Sequence, residues 1–167
     1  QANFHTLINK SEQLDNFIID LNKSVNLITE GDKYITLFIG EFNYKTKKLK
    51  YVNAGHSWPV IYNKGNIHLL KKGSTFLGSF KEITDIEIGE ETLDENAFIL
   101  TYTDGLTDLK NEDDEFLKPE FLYDFVKQYH YLSASDFNKS LMIEIEKFKG
   151  SNTYPDDFTV LSCKLFR

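Results

Sequence analysis

The chain has 167 residues, of which 41% are hydrophobic and 27% are charged, a composition typical of a globular protein large enough to have its own core. Its net charge of −7 argues against a nucleic-acid-binding surface, because such a surface is basic. A single cysteine, Cys163, excludes an internal disulfide and a cysteine-based zinc site. The sequence has no apolar run of transmembrane length and no signal-peptide pattern at its N-terminus. We therefore expect a cytoplasmic protein that makes no membrane contact through this chain.

The N-terminal part of the chain is predicted to be helical. Residues 3–10 have the pattern of the end of a helix, and a second helix is predicted to begin with Ser11 as its N-cap. Its apolar residues recur every three or four positions and so form one apolar face. They are Leu14, Phe17, Ile18, Leu21, Val25 and Ile28. Gly31 is the predicted end of this helix, because glycine readily adopts the left-handed conformation found there.

The next part of the chain contains short β-branched and aromatic runs separated by polar turns, which is typical of β-hairpins. A mostly buried strand is predicted at 34–42, and a cationic turn connects it to a second strand at 49–54. A further hairpin is predicted from strands at 59–62 and 67–70. We expect these four strands to form one antiparallel meander, followed by another strand at 83–88.

The second half of the chain alternates strands with helices. A buried strand is predicted at 97–102, followed by a short helix and by an acidic loop at 111–115. That loop lacks the glycine and oxygen spacing of an EF-hand and is predicted to be solvated. One helix is predicted to open with Pro119, a second is capped by Ser133, and a closing strand covers 158–166. This order predicts an α+β fold with antiparallel sheet.

Two acidic positions stand at strand ends. Asp104 ends the strand at 97–102 and is followed by Gly105, which lets the backbone turn and a ligand approach. Asp156 and Asp157 precede the closing strand. If these strands are antiparallel neighbours, the acids lie together and suit Mg²⁺ or Mn²⁺, which take few carboxylates and several waters. Two alternatives stay open: Asp104 also suits a helix N-cap, and the later pair also suits a turn.

Four segments, in this order, resemble the PPM-type metal-dependent serine/threonine phosphatases. The nearest branch is the SpoIIE-like one, the bacterial stage II sporulation and sigma-factor-regulator phosphatases. The segments are NAGHSWPVIY (53–62), GSTFLG (73–78), ILTYTDGLTDLKNEDDEF (99–116) and PDDFTVLSCKL (155–165). The resemblance implies an antiparallel β-sandwich flanked by helices. It also implies metal-assisted hydrolysis of phosphoserine or phosphothreonine by water, without a covalent enzyme intermediate.

The resemblance assigns roles to the acids. Asp104 matches the aspartate of the family's Asp-Gly motif, and Asp156 matches the first acid before the last strand; both are implied as ligands of one metal ion. Gly105 and Asp157 are weaker candidates, and Asp157 suits a supporting position beside the metal better than direct ligation. The complete domain is expected to hold two Mg²⁺ or Mn²⁺ ions.

Two further polar residues have competing interpretations. His56 could act as a general acid or contact phosphate, but we favour a histidine that anchors its turn by hydrogen bonds. Asp108 lies one helical turn beyond Asp104 and is interpreted as a solvated helix residue rather than as an outer metal contact.

The sequence departs from the family at its beginning. Family members start with two strands carrying a Gly-Asp acid, followed by an Asp-x-x-Gly-His segment whose aspartate bridges both metal ions. Neither feature is present here. We therefore expect residues 1–167 to form a single, N-terminally incomplete phosphatase domain that holds one ion or none and has impaired activity.

Two functions compete. The first is a phosphatase of a phosphorylated regulatory protein, such as an anti-sigma-factor antagonist, with an upstream sensory domain; a homodimer is compatible with it. The second is a non-catalytic signalling or partner-binding module on a degenerate phosphatase fold. The presence of both Asp104 and Asp156 favours the enzyme, because a binding module has no need of two acids at one sheet end.

Overall fold

The computed structural model of the protein describes residues 13–166, which include three α-helices and eight β-strands. The predicted helix end at 3–10 and the predicted N-cap Ser11 lie outside the described residues. The helices are α1 (Leu14–Thr29), α2 (Pro119–Tyr129) and α3 (Ala134–Lys149). The strands are β1 (Leu37–Asn43), β2 (Lys48–Ala54), β3 (Val60–Asn63), β4 (Asn66–Leu69), β5 (Gly73–Ser74), β6 (Gly89–Thr92), β7 (Phe98–Tyr102) and β8 (Val160–Lys164).

These elements form two compact units. Unit 1 extends to His56 and includes Lys71–Thr92, so it contains α1, β1, β2, β5 and β6. Unit 2 comprises Ser57–Leu70 and the chain from Leu93 onward, so it contains the other four strands and both remaining helices. Helices together with mainly antiparallel strands confirm the predicted α+β class. No helix in residues 13–166 is both long and apolar enough to span a membrane.

α1 confirms the helix predicted from its apolar face. Phe17 and Ile18 are buried and pack with Val52 of β2 in the core of unit 1. The helix ends at Thr29; its C-cap, Glu30, adopts a left-handed conformation with φ of 54°, and Gly31 follows with φ of 82°. The predicted end at Gly31 is therefore correct to within two residues, but a glutamate occupies the first left-handed position.

β2 is the central strand of the unit 1 sheet. It is antiparallel to β1 and β6 and forms a short parallel pair with β5. The strand predicted at 34–42 is present as β1, but it begins only at Leu37, and the prediction that it is mostly buried is wrong because β1 contains no fully buried residue. Tyr34, just before it, is 62% exposed. β1 is exposed because it is an edge strand of the sheet. Among the strands of the described residues, it pairs only with β2.

The predicted single meander is also wrong, because the two hairpins belong to different sheets. β2 pairs with β5 and β6, whereas β3 pairs with β4 and β7. Gly55 directly follows β2 and has a φ of 70°, a left-handed conformation that turns the chain out of the strand direction. The chain therefore leaves the first sheet before the second hairpin begins.

The strand predicted at 83–88 is not formed. Ile83 is buried in the core of unit 1, and Ile86 and Ile88 pack against that core, but this segment makes no strand pairing in the described structure. β6 begins only at Gly89. The alternating apolar residues of this segment therefore reflect its packing against the core, and the segment itself is irregular and not a β-strand.

The unit 2 sheet has the order β4-β3-β7-β8 and is antiparallel throughout. The β3–β4 hairpin confirms the second predicted hairpin. Its two turn residues, Lys64 and Gly65, have φ of 52° and 78°. Two consecutive left-handed residues match the twist of the flanking strands, which is the geometry that two-residue hairpin turns favour.

α2 and α3 pack on the core of unit 2, as the sequence predicts. Pro119 is the first residue of α2, where its missing N–H costs no hydrogen bond. α3 is capped by Ser133, whose Oγ accepts from the Asp136 amide at 3.1 Å. The buried residues of both helices join one cluster with β7. They are Leu122, Phe125, Val126, Phe137, Leu141 and Ile145.

The Phe137→Ala substitution is expected to lower the free energy of unfolding by about 3–5 kcal/mol, measured by urea denaturation. Phe137 is fully buried, and its ring lies 4.5 Å from that of Phe98 and 5.1 Å from that of Phe125. Ile143→Ala on the same helix is the control: Ile143 is 55% exposed, so its loss should cost no more than about 0.5 kcal/mol. Equal costs for the two variants would contradict this description of the core.

Candidate active site

The β7–β8 pair ends where the candidate metal ligands begin. The strands are antiparallel, and their last paired residues at this end are Tyr102 and Val160. Beyond them the Thr103 amide donates to the Thr159 carbonyl at 3.1 Å, and the Thr159 amide donates to Thr103 Oγ1 at 2.9 Å. Asp104 follows directly, and the acid pair before β8 lies on the neighbouring segment. The predicted antiparallel pairing is confirmed, and it places these acids at the same end of the sheet.

Gly105 allows the turn after Asp104 to approach the other acid-bearing segment closely. It lies in a one-turn 3-10 helix, Asp104–Leu106, and is itself buried. A Cβ added at Gly105 would lie 2.5 Å from the carbonyl oxygen of Asp157, a distance that no side chain tolerates. Leu106 is fully buried and anchors the turn in the core of unit 2. The glycine of the Asp-Gly pair is thus needed for backbone packing against Asp157.

The carboxylates of Asp104 and Asp156 make local hydrogen bonds. Asp104 Oδ1 accepts from the amide of Gly105 at 3.1 Å, and Asp156 Oδ1 accepts from the amide of Asp157 at 2.7 Å. The N-cap position of the 3-10 helix belongs to Thr103, without a side-chain cap bond, and Asp104 is the first residue of the helix. The alternative of Asp104 as N-cap is therefore wrong. The alternative of a turn at the second acid pair agrees with the bend at Asp156.

The three aspartates at this sheet end have no cationic partner within residues 13–166. Asp104, Asp156 and Asp157 are exposed, and none of them belongs to an ion pair of the described chain. Carboxylate oxygens beside solvent suit a hard divalent cation that keeps several waters, and its charge would offset their mutual repulsion. In the described part of the chain, no group of three or more His, Cys, Asp or Glu could hold a metal ion by itself. Within the described residues, these acids do not form a metal site by themselves.

The turn at His56 is anchored through its backbone hydrogen bonds, and these bonds do not decide the role of its ring. Its amide donates to Asn53 Oδ1 at 2.8 Å, and Asn53 Nδ2 donates to the His56 carbonyl at 3.0 Å. Asn53 is only 4% exposed, so both bonds are sheltered from water. The His56 ring lies with Nδ1 3.2 Å from Thr36 Oγ1. These contacts lie within unit 1 and account for the conformation of the Ala-Gly-His segment.

The acidic loop is more structured than predicted. Glu112 Oε1 accepts from the amide of Ser151 at 2.9 Å and from its hydroxyl at 2.7 Å, and these bonds hold the pKa of Glu112 below its usual value. Asn111 Oδ1 accepts from the amides of Asp113 and Glu115 at 3.0 and 2.8 Å, which closes the loop on itself. Residues 112–115 are exposed, as expected for a solvated loop, but Glu112 also has a hydrogen-bond partner that sequence reasoning missed.

Asp108 is exposed, in agreement with its interpretation as a solvated residue. Its backbone amide donates to the Asp104 carbonyl at 2.9 Å and so continues the turn that follows β7. The side chain makes no hydrogen bond or ion pair in the described structure. It therefore serves as a nearby acid against which Asp104 can be compared.

Tyr154 anchors the middle of the segment that leads to Asp156. Its hydroxyl donates to Glu146 Oε1 at 2.5 Å, and its ring lies 5.2 Å from that of Phe158. Burial and then the bond to Glu146 raise the pKa of Tyr154 to about 12. The same bond lowers the pKa of Glu146. The neutral phenol and the ionised carboxylate are therefore the forms that this contact favours.

The Tyr154–Glu146 contact is expected to stabilise the fold between acidic and strongly alkaline pH. A raised tyrosine pKa contributes stability that is fully present below pH 10 and is lost as pH rises through about 12. A lowered glutamate pKa contributes stability that is present above pH 4.5 and is lost as pH falls below it. Tyr154→Phe should therefore lower the free energy of unfolding most within that window, measured by urea denaturation at several pH values.

Tyr131→Phe is the matched control for this measurement. Tyr131 is 65% exposed, and its hydroxyl has no partner in the described structure, so its removal should leave stability nearly unchanged at every pH. A difference between Tyr154→Phe and the unsubstituted protein that does not shrink above pH 10 would contradict the proposed contact.

Comparison with known proteins identifies the family. The family model described as Stage II sporulation protein E (SpoIIE) matches residues 1–166. Phosphoserine phosphatase RsbU of Bacillus subtilis is 23% identical over 158 residues, which cover 93% of this chain and 45% of RsbU. The chain thus spans less than half the length of this relative.

Solved structures agree with the fold. The SiaA-PP2C domain of Pseudomonas aeruginosa has a TM-score of 0.84 at 14% identity, covering 98% of this chain and 66% of that one. The phosphatase domain of SpoIIE from Bacillus subtilis, presoaked with manganese, has a TM-score of 0.67 at 16% identity, covering 99% of this chain and 72% of that one. These likenesses show a PP2C-type fold, as the sequence motifs imply. Together with the family match over nearly the whole sequence, they show that the chain belongs to the SpoIIE family.

Proposed function

We propose that the protein is a metal-dependent phosphatase that removes phosphate from serine or threonine of a regulatory protein. The observation that carries the proposal is the position of Asp104, Asp156 and Asp157 at one end of the β7–β8 pair, without a cationic partner in the described residues. Membership of the SpoIIE family supports it, and so does the likeness to RsbU, which is named a phosphoserine phosphatase.

In this proposal Asp104 and Asp156 are the residues that hold Mg²⁺ or Mn²⁺. The manganese-presoaked SpoIIE phosphatase domain supports this choice of ions. The bound metal would supply Lewis-acid activation and neutralise charge on the phosphoryl group. Thr103 and Thr159 hold the two acid-bearing segments together, and Gly105 lets them approach.

The two acids are proposed to be part of a larger ligand set that the complete phosphatase domain supplies, with two ions bound there. The 167 residues then form one incomplete domain that binds one ion or none and has impaired activity. In the likeness to the SiaA-PP2C domain, 98% of the chain corresponds to 66% of that domain. Tests of activity therefore belong on the full-length protein. An upstream sensory domain, a homodimer and an anti-sigma-factor antagonist as substrate remain parts of the proposal.

Asp104→Asn in the full-length protein is expected to lower Mn²⁺-dependent hydrolysis of an aryl phosphate at least about 100-fold. Loss of a ligand should exceed the roughly 10–100-fold cost of losing a residue that only supports one. Asp108→Asn is the control: it removes one negative charge from an exposed residue nearby and should leave the rate unchanged. The same loss is expected for Asp156→Asn.

Two results would overturn this function. Unchanged hydrolysis in Asp104→Asn would show that Asp104 is not a metal ligand. A full-length protein that lacks Mn²⁺-dependent hydrolysis but binds a regulatory partner would support the non-catalytic module instead.

A further inference from the structure

We propose that Glu112 is a positioning residue that holds the segment bearing Asp156 in place relative to the turn bearing Asp104. The inference rests on the proposed function, because it concerns the same pair of acids. Residues 150–159 connect α3 to β8 and contain no helix or strand. Asp156 lies inside this irregular connection, so its position depends on contacts between the connection and other segments rather than on secondary structure.

Glu112 makes two of these contacts, both near the beginning of the connection. Two donors of Ser151, its amide and its hydroxyl, converge on Glu112 Oε1 at 2.9 and 2.7 Å. Hydrogen bonds to an ionised acceptor are stronger than bonds between neutral groups. Gly150 precedes them with a φ of 59°, and a Cβ added there would lie 2.7 Å from Glu112 Oε1. A glycine at position 150 thus leaves the space that the Glu112 carboxylate occupies.

A second contact joins the same two segments. Asn152 Nδ2 donates to the carbonyl oxygens of Lys110 and Asn111 at 3.2 and 2.7 Å. Together, the bonds from Ser151 to Glu112 and from Asn152 to the backbone at 110–111 form what we call the clasp. The clasp joins the acidic loop after β7 to the beginning of the connection that carries Asp156.

Each of the two segments that the clasp joins has a further backbone tie. On one side, the acidic loop is bracketed by the buried residues Leu109 and Leu117, whose backbones are joined by a 2.8 Å hydrogen bond. Leu109 follows the turn of Asp104 closely and belongs to the same core cluster as β7. On the other side, the connection is tied at its far end by the pairing of Thr103 with Thr159. Asp156 therefore lies between two ties to the polypeptide around Asp104.

A comparison of Glu112 with its neighbour Asp113 distinguishes a positioning role from a general effect of negative charge. Asp113 is also exposed and carries the same charge, but its carboxylate makes no hydrogen bond or ion pair in the described structure. If negative charge in the loop were what mattered, Glu112 and Asp113 would be equivalent. If the clasp matters, only Glu112 affects the position of Asp156.

The experiment measures the Mn²⁺ dissociation constant of the full-length protein by isothermal titration calorimetry. Glu112→Ala is expected to raise this constant about 10-fold or more, since residues that support metal ligands are worth roughly 10–100-fold. The Mn²⁺ dissociation constant of Asp113→Ala should stay within about 2-fold of that of the unsubstituted protein. Saturating Mn²⁺ should restore most of kcat in Glu112→Ala, because the ligands remain present and only their placement is loosened.

Ser151→Ala completes a double-mutant cycle. It removes one of the two donors and should weaken Mn²⁺ binding by itself, but it should add little in the Glu112→Ala background. If Glu112→Ala does not fold, as judged by its circular dichroism, Ser151→Ala and Glu112→Gln provide the same comparison. Glu112→Gln keeps an acceptor oxygen but loses the charge. Its Mn²⁺ affinity should therefore lie between that of the unsubstituted protein and that of Glu112→Ala.

Hydrogen exchange of the metal-free protein distinguishes positioning from stability alone. Faster exchange over residues 151–159 together with weaker Mn²⁺ binding is the expected result for Glu112→Ala. Faster exchange with unchanged Mn²⁺ binding would overturn the positioning role, and so would equal effects of Glu112→Ala and Asp113→Ala. Mn²⁺ binding that survives in Asp104→Asn would instead overturn the proposed metal function itself.

Discussion

The structure depends on the antiparallel pairing of β7 with β8. Phe98, Ile99 and Leu100 of β7 are all buried, and Phe98 and Leu100 belong to the core cluster of unit 2. The register of β7 with β8 decides which residues fall beyond the last pair. Asp104 and Asp157 emerge there because the apolar core holds the strands in this alignment. The chemistry of the sheet end is thus a consequence of hydrophobic packing some distance away.

Much of the fold follows from local chemistry that the sequence displays. Pro119 and Ser133 mark the beginnings of α2 and α3, and the turn at Lys64 and Gly65 marks a hairpin, because each feature needs only its immediate neighbours. Strand partners are different, because they depend on residues far apart in the sequence. The predicted meander failed at Gly55, where the chain leaves one sheet, and nothing in the alternating pattern of either hairpin specifies the partner.

In the candidate site, too, some features could be predicted from the sequence and others could not. The placement of Asp104 and Asp156 at one end of the sheet could be predicted, because both acids stand next to recognisable strands. The only further assumption was that these two strands are antiparallel neighbours. The clasp could not be predicted, because Glu112 lies in a run of acids that look alike and its partner Ser151 is 39 residues away. The absence of a Cβ at Gly150 leaves space for the Glu112 carboxylate, and this proximity is visible only in three dimensions.

The exposure of the acids and the irregularity of their connection have a common physical meaning. Asp104 and Asp156 are exposed, so burial in the core does not fix them, and in the proposed function this exposure lets them exchange water for a metal ion. Their placement must come from hydrogen bonds such as the clasp, each of which is modest by itself. A cation bound between the two segments would stabilise the same arrangement that the clasp favours, because binding free energy contributes to the ordered state. Metal affinity and the order of residues 150–159 are then linked quantities, and a contact that strengthens one must strengthen the other.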